Sequence, residues 1–179
     1  QVPRAFVIDD NGNQSLAEIG FVVINVQPRG SSPIRDKAFY TYGYGNLRDY
    51  AVGDDKHTIE TLAQRYPFID LARVGIYGHS GGAAESVTAL LTYPDFYKVA
   101  VAASGNHDNN IYIQWWGETY HGLKRVPTNM ELAHRLKGKL LLISGDVDDN
   151  VPWASTLRMA DALIKANKRF DFMVLPGMD

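Results

Sequence analysis

Apolar and polar residues follow one another along the chain in blocks that predict strands and helices in turn. Short apolar runs, several of them rich in β-branched residues, are typical of strands buried in a parallel sheet. The predicted strands cover residues 20–27, 73–77, 99–103, 139–144 and 170–175. Helical spacing predicts helices over about 52–66 and 82–93, and a third that begins at Pro152. This alternation predicts an α/β fold, with a mostly parallel sheet and helices on both faces.

One connection stands out by its length and its aromatic content. Residues 106–129 join the third and fourth predicted strands and carry Tyr112, Trp115, Trp116 and Tyr120. Long connections at the carboxyl edge of a parallel sheet commonly line ligand sites. The rings therefore either line a cleft or cover the core, and the sequence leaves both readings open.

Composition narrows the class of protein. A chain of 179 residues, 45% hydrophobic and 21% charged, predicts a single globular domain over residues 1–179. A formal net charge of −2 without a run of basic residues gives no reason to expect a nucleic-acid partner. The absence of cysteine excludes thiolate nucleophiles and cysteine-ligated zinc. No apolar run approaches the roughly 18 residues that a membrane span requires.

A glycine-rich turn between a predicted strand and a predicted helix indicates nucleophilic chemistry. Residues 78–82 read Gly-His-Ser-Gly-Gly, the pattern of a sharp turn that lifts a serine hydroxyl above the sheet. Ser80 is the candidate nucleophile, and Gly81 would donate its backbone N–H to an oxyanion. Gly78 and Gly82 are expected to relieve steric crowding. A phosphate-binding loop would need a Gly-Lys-Ser/Thr that is missing here, and an ordinary glycine-rich turn stays open as the alternative.

An acidic turn after the fourth predicted strand supplies candidates for a catalytic acid. We select Asp148, with Asp146 and Asp149 as competitors, because the acid follows the serine in chains with this elbow. A calcium loop is the other reading of the turn. It fails because Val151 occupies the glycine position and Leu157 stands where a bidentate glutamate is needed. We expect neither a metal nor an organic cofactor.

The histidine that should complete a catalytic triad is not found after the acid. All five histidines precede Asp148: His57, His79, His107, His121 and His134. The side chain of His79 would point away from the serine hydroxyl, and His57 and His134 are expected to have ordinary surface roles. His107 and His121 are expected to line the cleft, without a metal-binding spacing.

Four segments together resemble the catalytic domain of the prolyl oligopeptidase family of serine peptidases, in its dipeptidyl peptidase IV-like branch. They read NVQPRGSS, GIYGHSGG, GDVDDNVPW and FMVLPGMD, in the family's order. The resemblance implies an α/β-hydrolase fold truncated at both ends, which hydrolyses short peptides through an acyl-enzyme. It further implies a dipeptidyl-peptidase-like or acylaminoacyl-peptidase-like aminopeptidase. A carboxylesterase on the same fold and a catalytically dead binding module stay open.

The resemblance also assigns roles to individual residues. They are Ser80 as nucleophile, Asp148 as acid, Gly81 as oxyanion donor, Asn150 near the substrate carbonyl, Val151 in the pocket wall, and Tyr112 and Trp116 as pocket aromatics. The catalytic histidine is expected directly after Asp179, and an oxyanion tyrosine just before Gln1. A β-propeller is likewise expected outside the chain, so these 179 residues alone should be inactive.

Two departures from the family's pattern affect the expected specificity. Gly81 stands where proline-specific members carry tyrosine, which predicts a wider pocket and argues against strict cleavage after proline. Gln27-Pro28 replaces the more usual Asp-Gly. Through the resemblance we also expect a peptide as substrate, a homodimer for the full-length protein, and a periplasmic or secreted location.

Overall fold

The structure, a computed structural model, describes residues 12–31 and 34–179. Its centre is a four-stranded parallel sheet in the order β1-β2-β3-β4. The strands are β1 Val74–His79, β2 Tyr97–Ala103, β3 Lys139–Gly145 and β4 Asp171–Leu175. The helices are α1 Asn13–Glu18, α2 Lys37–Tyr40, α3 Val52–Arg65, α4 Gly81–Thr92, α5 Gln114–His121 and α6 Ala154–Lys165, with 3₁₀ turns at Leu71–Arg73 and Asn129–Arg135.

Helical crossovers connect the strands as the sequence predicts. Helix α4 joins β1 to β2, and α6 joins β3 to β4, so neighbouring strands run parallel. The four observed strands begin and end within two residues of the predicted ones. The α/β architecture with a parallel sheet is therefore confirmed.

The strand predicted at residues 20–27 is wrong for the described structure, since no strand forms there. Phe21 is 60% exposed and Val22 is 51% exposed, so the run is not buried on both faces. A strand requires a neighbour to complete its hydrogen bonds. Strand β1 pairs with β2, and among the described residues no strand lies along its other edge.

The core lies between one face of the sheet and the helices that cover it. Helix α4 buries Val87, Leu90 and Leu91 against β1 and β2, and α6 adds Met159 and Leu163. Several of the β2 residues facing α4 are alanines, which leave room for the helix to approach closely. This packing fixes α4, whose first residue directly follows Ser80.

The opposite face of the sheet contacts α1. Tyr77 points away from the core because side chains alternate along β1, and its hydroxyl donates a hydrogen bond to Asn13 Oδ1 at 2.8 Å. Tyr77 remains 53% exposed and Val99 42% exposed. Helices thus contact both faces, but the face on which α1 lies is only thinly covered by the described residues.

Backbone hydrogen bonds continue past the strand ends and align their carboxyl edge. The N–H of Ser80 donates to Ala103 O at 2.9 Å, and the N–H of Ser104 donates to Ile143 O at 2.9 Å. The turns that follow β1, β2 and β3 therefore start side by side. Ligands of open α/β sheets bind at this edge.

Candidate active site

Ser80 occupies a strained turn at the carboxyl end of β1. Its φ of 56° and ψ of −123° lie where residues other than glycine are rare. Its carbonyl accepts hydrogen bonds from the N–H groups of Ala83 and Ala84 and so starts α4. A Cβ on Gly78 would lie 2.3 Å from Gly82 O, so this close crossing requires glycine at position 78.

Gly81 and Gly82 have open space around them, unlike Gly78. A Cβ on either would meet no atom within 4 Å. The expectation that Gly82 relieves crowding through its missing side chain is therefore wrong, because its backbone is what approaches Gly78. Gly81 is exposed and is the first residue of α4, so its N–H has no acceptor within the helix. This free donor adjoins Ser80 at the positive end of the helix dipole.

Asp148 is held by the backbone of its own turn. Its Oδ1 accepts hydrogen bonds from the N–H groups of Asn150, at 3.0 Å, and Val151, at 2.7 Å. The side chain is half-buried just beyond the carboxyl end of β3. These two bonds fix the carboxylate, and none of the described residues donates a hydrogen bond to its Oδ2.

The last residues of the chain lie against this acid turn. The N–H of Gly177 donates to Asp146 Oδ1 at 2.6 Å, and the N–H of Val147 donates to Met178 O at 3.3 Å. A Cβ on Gly145 would lie 2.0 Å from Met178 O, so the tail crosses β3 in contact with its backbone. The carboxylate of Asp146 therefore binds the tail.

Two predicted pocket residues meet beside the acid turn. The Tyr112 hydroxyl donates to Asn150 Oδ1 at 3.1 Å, and the Tyr112 and Trp116 rings make an edge contact at 5.3 Å between centroids. Burial raises the pKa of Tyr112, and the negative charge of Asp148 raises it further. Tyr112, Trp116 and Asn150 therefore form one group next to Asp148.

Other predicted site residues lie deeper than the sequence suggests. Val151 is 2% exposed and reaches the acid through its backbone N–H. His107 and His121 are 3% and 6% exposed, so both belong to the interior of the aromatic connection rather than to an open cleft surface. His57, His79 and His134 are exposed. No histidine among the described residues is hydrogen-bonded to Ser80 or Asp148.

The sequence does not predict a half-buried acidic pair between α3 and α4, formed by Asp55 and Glu85. Burial raises the pKa of Glu85 on α4 to about 8, and the charge of Asp55 contributes. Burial also raises the pKa of Asp55 on α3 to about 6, with a contribution from Asp54. Glu85 lies one and a half turns from Ser80, and no charge pattern in the sequence reveals that α3 brings Asp55 close to it.

The described part of the chain contains no cluster of three or more acidic or histidine side chains that could hold a metal ion. Within the same residues, no helix is both long enough and apolar enough to cross a bilayer.

Comparison with known proteins identifies relatives of this chain. The model of the prolyl oligopeptidase family matches residues 9–179. Human dipeptidyl peptidase 8 is 31% identical over 174 residues, which cover 90% of this chain and 19% of that protein. Human prolyl endopeptidase FAP is 28% identical over 164 residues, which cover 86% of this chain and 21% of that protein.

A solved structure shares the fold. The crystal structure of Porphyromonas gingivalis dipeptidyl peptidase 4 superimposes with a TM-score of 0.87 at 26% identity, over 95% of this chain and 25% of that one. The chain thus spans about a fifth to a quarter of the length of these relatives. The elbow, the acid turn and these matches agree, and the chain belongs to the prolyl oligopeptidase family of serine peptidases.

Proposed function

We propose that Ser80 is the nucleophile of a peptidase that removes short segments from the amino end of peptides, in the manner of a dipeptidyl or acylaminoacyl peptidase. The observation that carries the proposal is the strained turn at Ser80, with its hydroxyl at the edge of the sheet where the acid turn also begins. The family match supports the chemistry, and the dipeptidyl peptidase relatives support the substrate class.

The proposed reaction starts with attack of Ser80 Oγ on the scissile carbonyl. A histidine takes the serine proton and delivers it to the leaving amine, and Asp148 holds that histidine in the correct tautomer. The Gly81 N–H stabilises the tetrahedral oxyanion. Water then hydrolyses the acyl-enzyme with the same histidine as base, which regenerates the Ser80 hydroxyl.

We propose that this histidine comes from the enzyme beyond Asp179. The tail at Gly177 and Met178 is hydrogen-bonded to the acid turn, so a residue joined to Asp179 starts close to Asp148. The Oδ2 atom of Asp148 has no donor among the described residues and is available to the Nδ1–H of an imidazole.

We further propose that the substrate side chain before the scissile bond binds against Tyr112 and Trp116, with Asn150 close to the substrate carbonyl. These three residues adjoin Asp148, as the proposal requires. The open space beside Gly81 leaves this region wider than a tyrosine at that position would. A wide pocket favours residues other than proline at this subsite.

The test compares the full-length enzyme with its Ser80→Ala variant on a dipeptidyl p-nitroanilide and on a p-nitrophenyl ester. We expect the parent enzyme to cleave the anilide and the variant to lose at least about 10⁴-fold in kcat. Cleavage of the ester alone would identify a carboxylesterase instead. A parent enzyme inactive on both substrates would identify a binding module.

A further inference from the structure

A buried network of polar side chains joins the nucleophile helix to the aromatic connection, and the proposed reaction does not use it. Asn129, 2% exposed, lies at its centre. Its Nδ2 donates to Ala84 O at 2.7 Å, and its Oδ1 accepts from Thr88 Oγ1 at 2.7 Å. Its Nδ2 also lies 3.2 Å from His107 Nδ1. One amide thus binds two turns of α4 and one histidine.

His107 joins this amide to helix α6. Its carbonyl accepts from the Asn129 N–H at 3.0 Å, and its own N–H donates to Ser155 Oγ at 3.0 Å on α6. Burial lowers the pKa of His107 to about 4, so the ring is neutral at pH 7. With Asn129 as donor, Nδ1 is the acceptor and the ring proton resides on Nε2.

The two ends of the aromatic connection are tied together directly after His107. Asn110 donates from Nδ2 to Val126 O at 2.9 Å and accepts the Val126 N–H on Oδ1 at 2.8 Å. Asp108 accepts from Asn110 and forms an ion pair with Arg158 on α6 at 3.1 Å. Side-chain hydrogen bonds therefore hold the two ends of residues 111–125 together and tie them to α6.

We propose that Asn129 and His107 are positioning residues that hold the aromatic connection, and with it Tyr112 and Trp116, in register with Ser80. This inference rests on the proposed function for its kinetic consequence. Both side chains are buried, and Ser80 is held by its own turn and by β2. Loss of the network should weaken recognition of a peptide far more than it weakens attack on a small ester that leaves the pocket empty.

The test uses matched variants of the full-length enzyme. His107→Asn places an amide oxygen near the position of Nδ1 and keeps the acceptor, whereas His107→Leu fills similar space without it. Asn129→Leu removes the central amide. The control is His134→Leu, because His134 is exposed and lies in the same 3₁₀ turn as Asn129.

We expect His107→Leu and Asn129→Leu to raise KM for a dipeptidyl p-nitroanilide at least tenfold. Their rates of p-nitrophenyl acetate hydrolysis should stay within about twofold of the parent rate. The KM of His107→Asn for the anilide should lie close to that of the parent. Equal losses on the anilide and the ester, or unchanged KM in both leucine variants, would overturn the proposal. So would a His107→Asn variant as impaired as His107→Leu.

Hydrogen exchange separates this proposal from the proposed reaction, because it needs no activity. In Asn129→Leu we expect faster exchange over residues 108–125 and unchanged exchange in β1 and β2. Uniformly faster exchange across the chain would mean that Asn129 only stabilises the core, and unchanged exchange would mean that the network positions nothing. Either result overturns the inference, whether or not the enzyme cleaves peptides.

Discussion

At the scale of single residues, the elbow depends on one close contact between backbones. The space that Gly78 leaves is filled by the backbone of Gly82 as α4 begins, and Ser80 between them adopts a positive φ. The sequence pattern indicates the turn correctly, because glycine, serine and glycine in this order suit such a crossing. It does not reveal which glycine is constrained by contact, since that depends on the path of the chain.

This contact predicts opposite effects for two neighbouring substitutions. Gly78→Ala would place a Cβ 2.3 Å from Gly82 O, so we expect a loss of stability of about 2 kcal/mol or more and a large loss of activity. Gly82→Ala enters open space in the first turn of α4 and should be neutral or stabilising by up to about 1 kcal/mol. Thermal unfolding of both variants measures the difference. Equal Tm values for the two variants would contradict the close contact between Gly78 and the Gly82 backbone.

Glu85 predicts a pH dependence of stability. Its pKa in the folded state is about 8, above the ordinary value of 4.5 that it regains on unfolding. Between these values the unfolded chain releases a proton that the folded chain keeps. The free energy of unfolding therefore falls as pH rises from about 4.5 to about 8, by up to about 1.4 kcal/mol for each pH unit.

Glu85→Gln removes this titration because an amide stays neutral. We expect the variant to unfold at a higher temperature than the parent at pH 8.5, and this advantage to shrink towards pH 5. Glu118→Gln, at an exposed glutamate, is the control and should show no such trend. A Glu85→Gln variant that is less stable than the parent at pH 8.5 would show that the carboxylate is stabilised rather than strained.

At the scale of elements, the sequence correctly predicts the strands and helices that local hydrophobic spacing determines. The runs that became β1 to β4 are apolar and end at turn residues, and α4 and α6 show helical spacing. Residues 20–27 have the same pattern as the true strands, but forming a strand depends on a neighbour that no local pattern reports. Helix α5 is not predicted, because it is only eight residues long and contains Gly117, a poor helix former.

The same distinction between local pattern and contacts between distant residues applies to the candidate site. Asp148 could be selected because the acid turn directly follows a strand, and its contacts with Asn150 and Val151 are local. The pairing of Asn129 with His107 joins residues 22 positions apart and carries no periodic signal. Contacts of this kind arise from the packing of whole elements and become visible only in three dimensions.

The contact between the tail and the acid turn predicts a graded effect on catalysis. Asp146→Ala removes the acceptor for the Gly177 N–H, so the segment leading to the proposed histidine should lose its anchor. We expect kcat/KM of the full-length enzyme to fall about tenfold. Asp146→Asn keeps an oxygen acceptor and should retain most of the activity. If both variants matched the parent, the tail would need no such anchor.

At the scale of the whole molecule, the chain places three parts of the proposed hydrolytic site along one edge of the sheet. They are the elbow after β1, the aromatic connection after β2, and the acid turn after β3 with the tail against it. The strands follow one another across the sheet in chain order, so the turns at their carboxyl ends lie side by side. Phe21 and Val22 are exposed apolar residues that precede β1 in the chain, and they have no role in the proposed chemistry.

The most direct measurement is covalent labelling of the full-length enzyme with a serine-directed fluorophosphonate, followed by mass spectrometry of the modified peptide. The account predicts stoichiometric modification of Ser80, loss of peptidase activity in parallel, and no labelling of Ser80→Ala. Modification of a different residue with concurrent loss of activity, or peptide cleavage by Ser80→Ala at the parent rate, would contradict it.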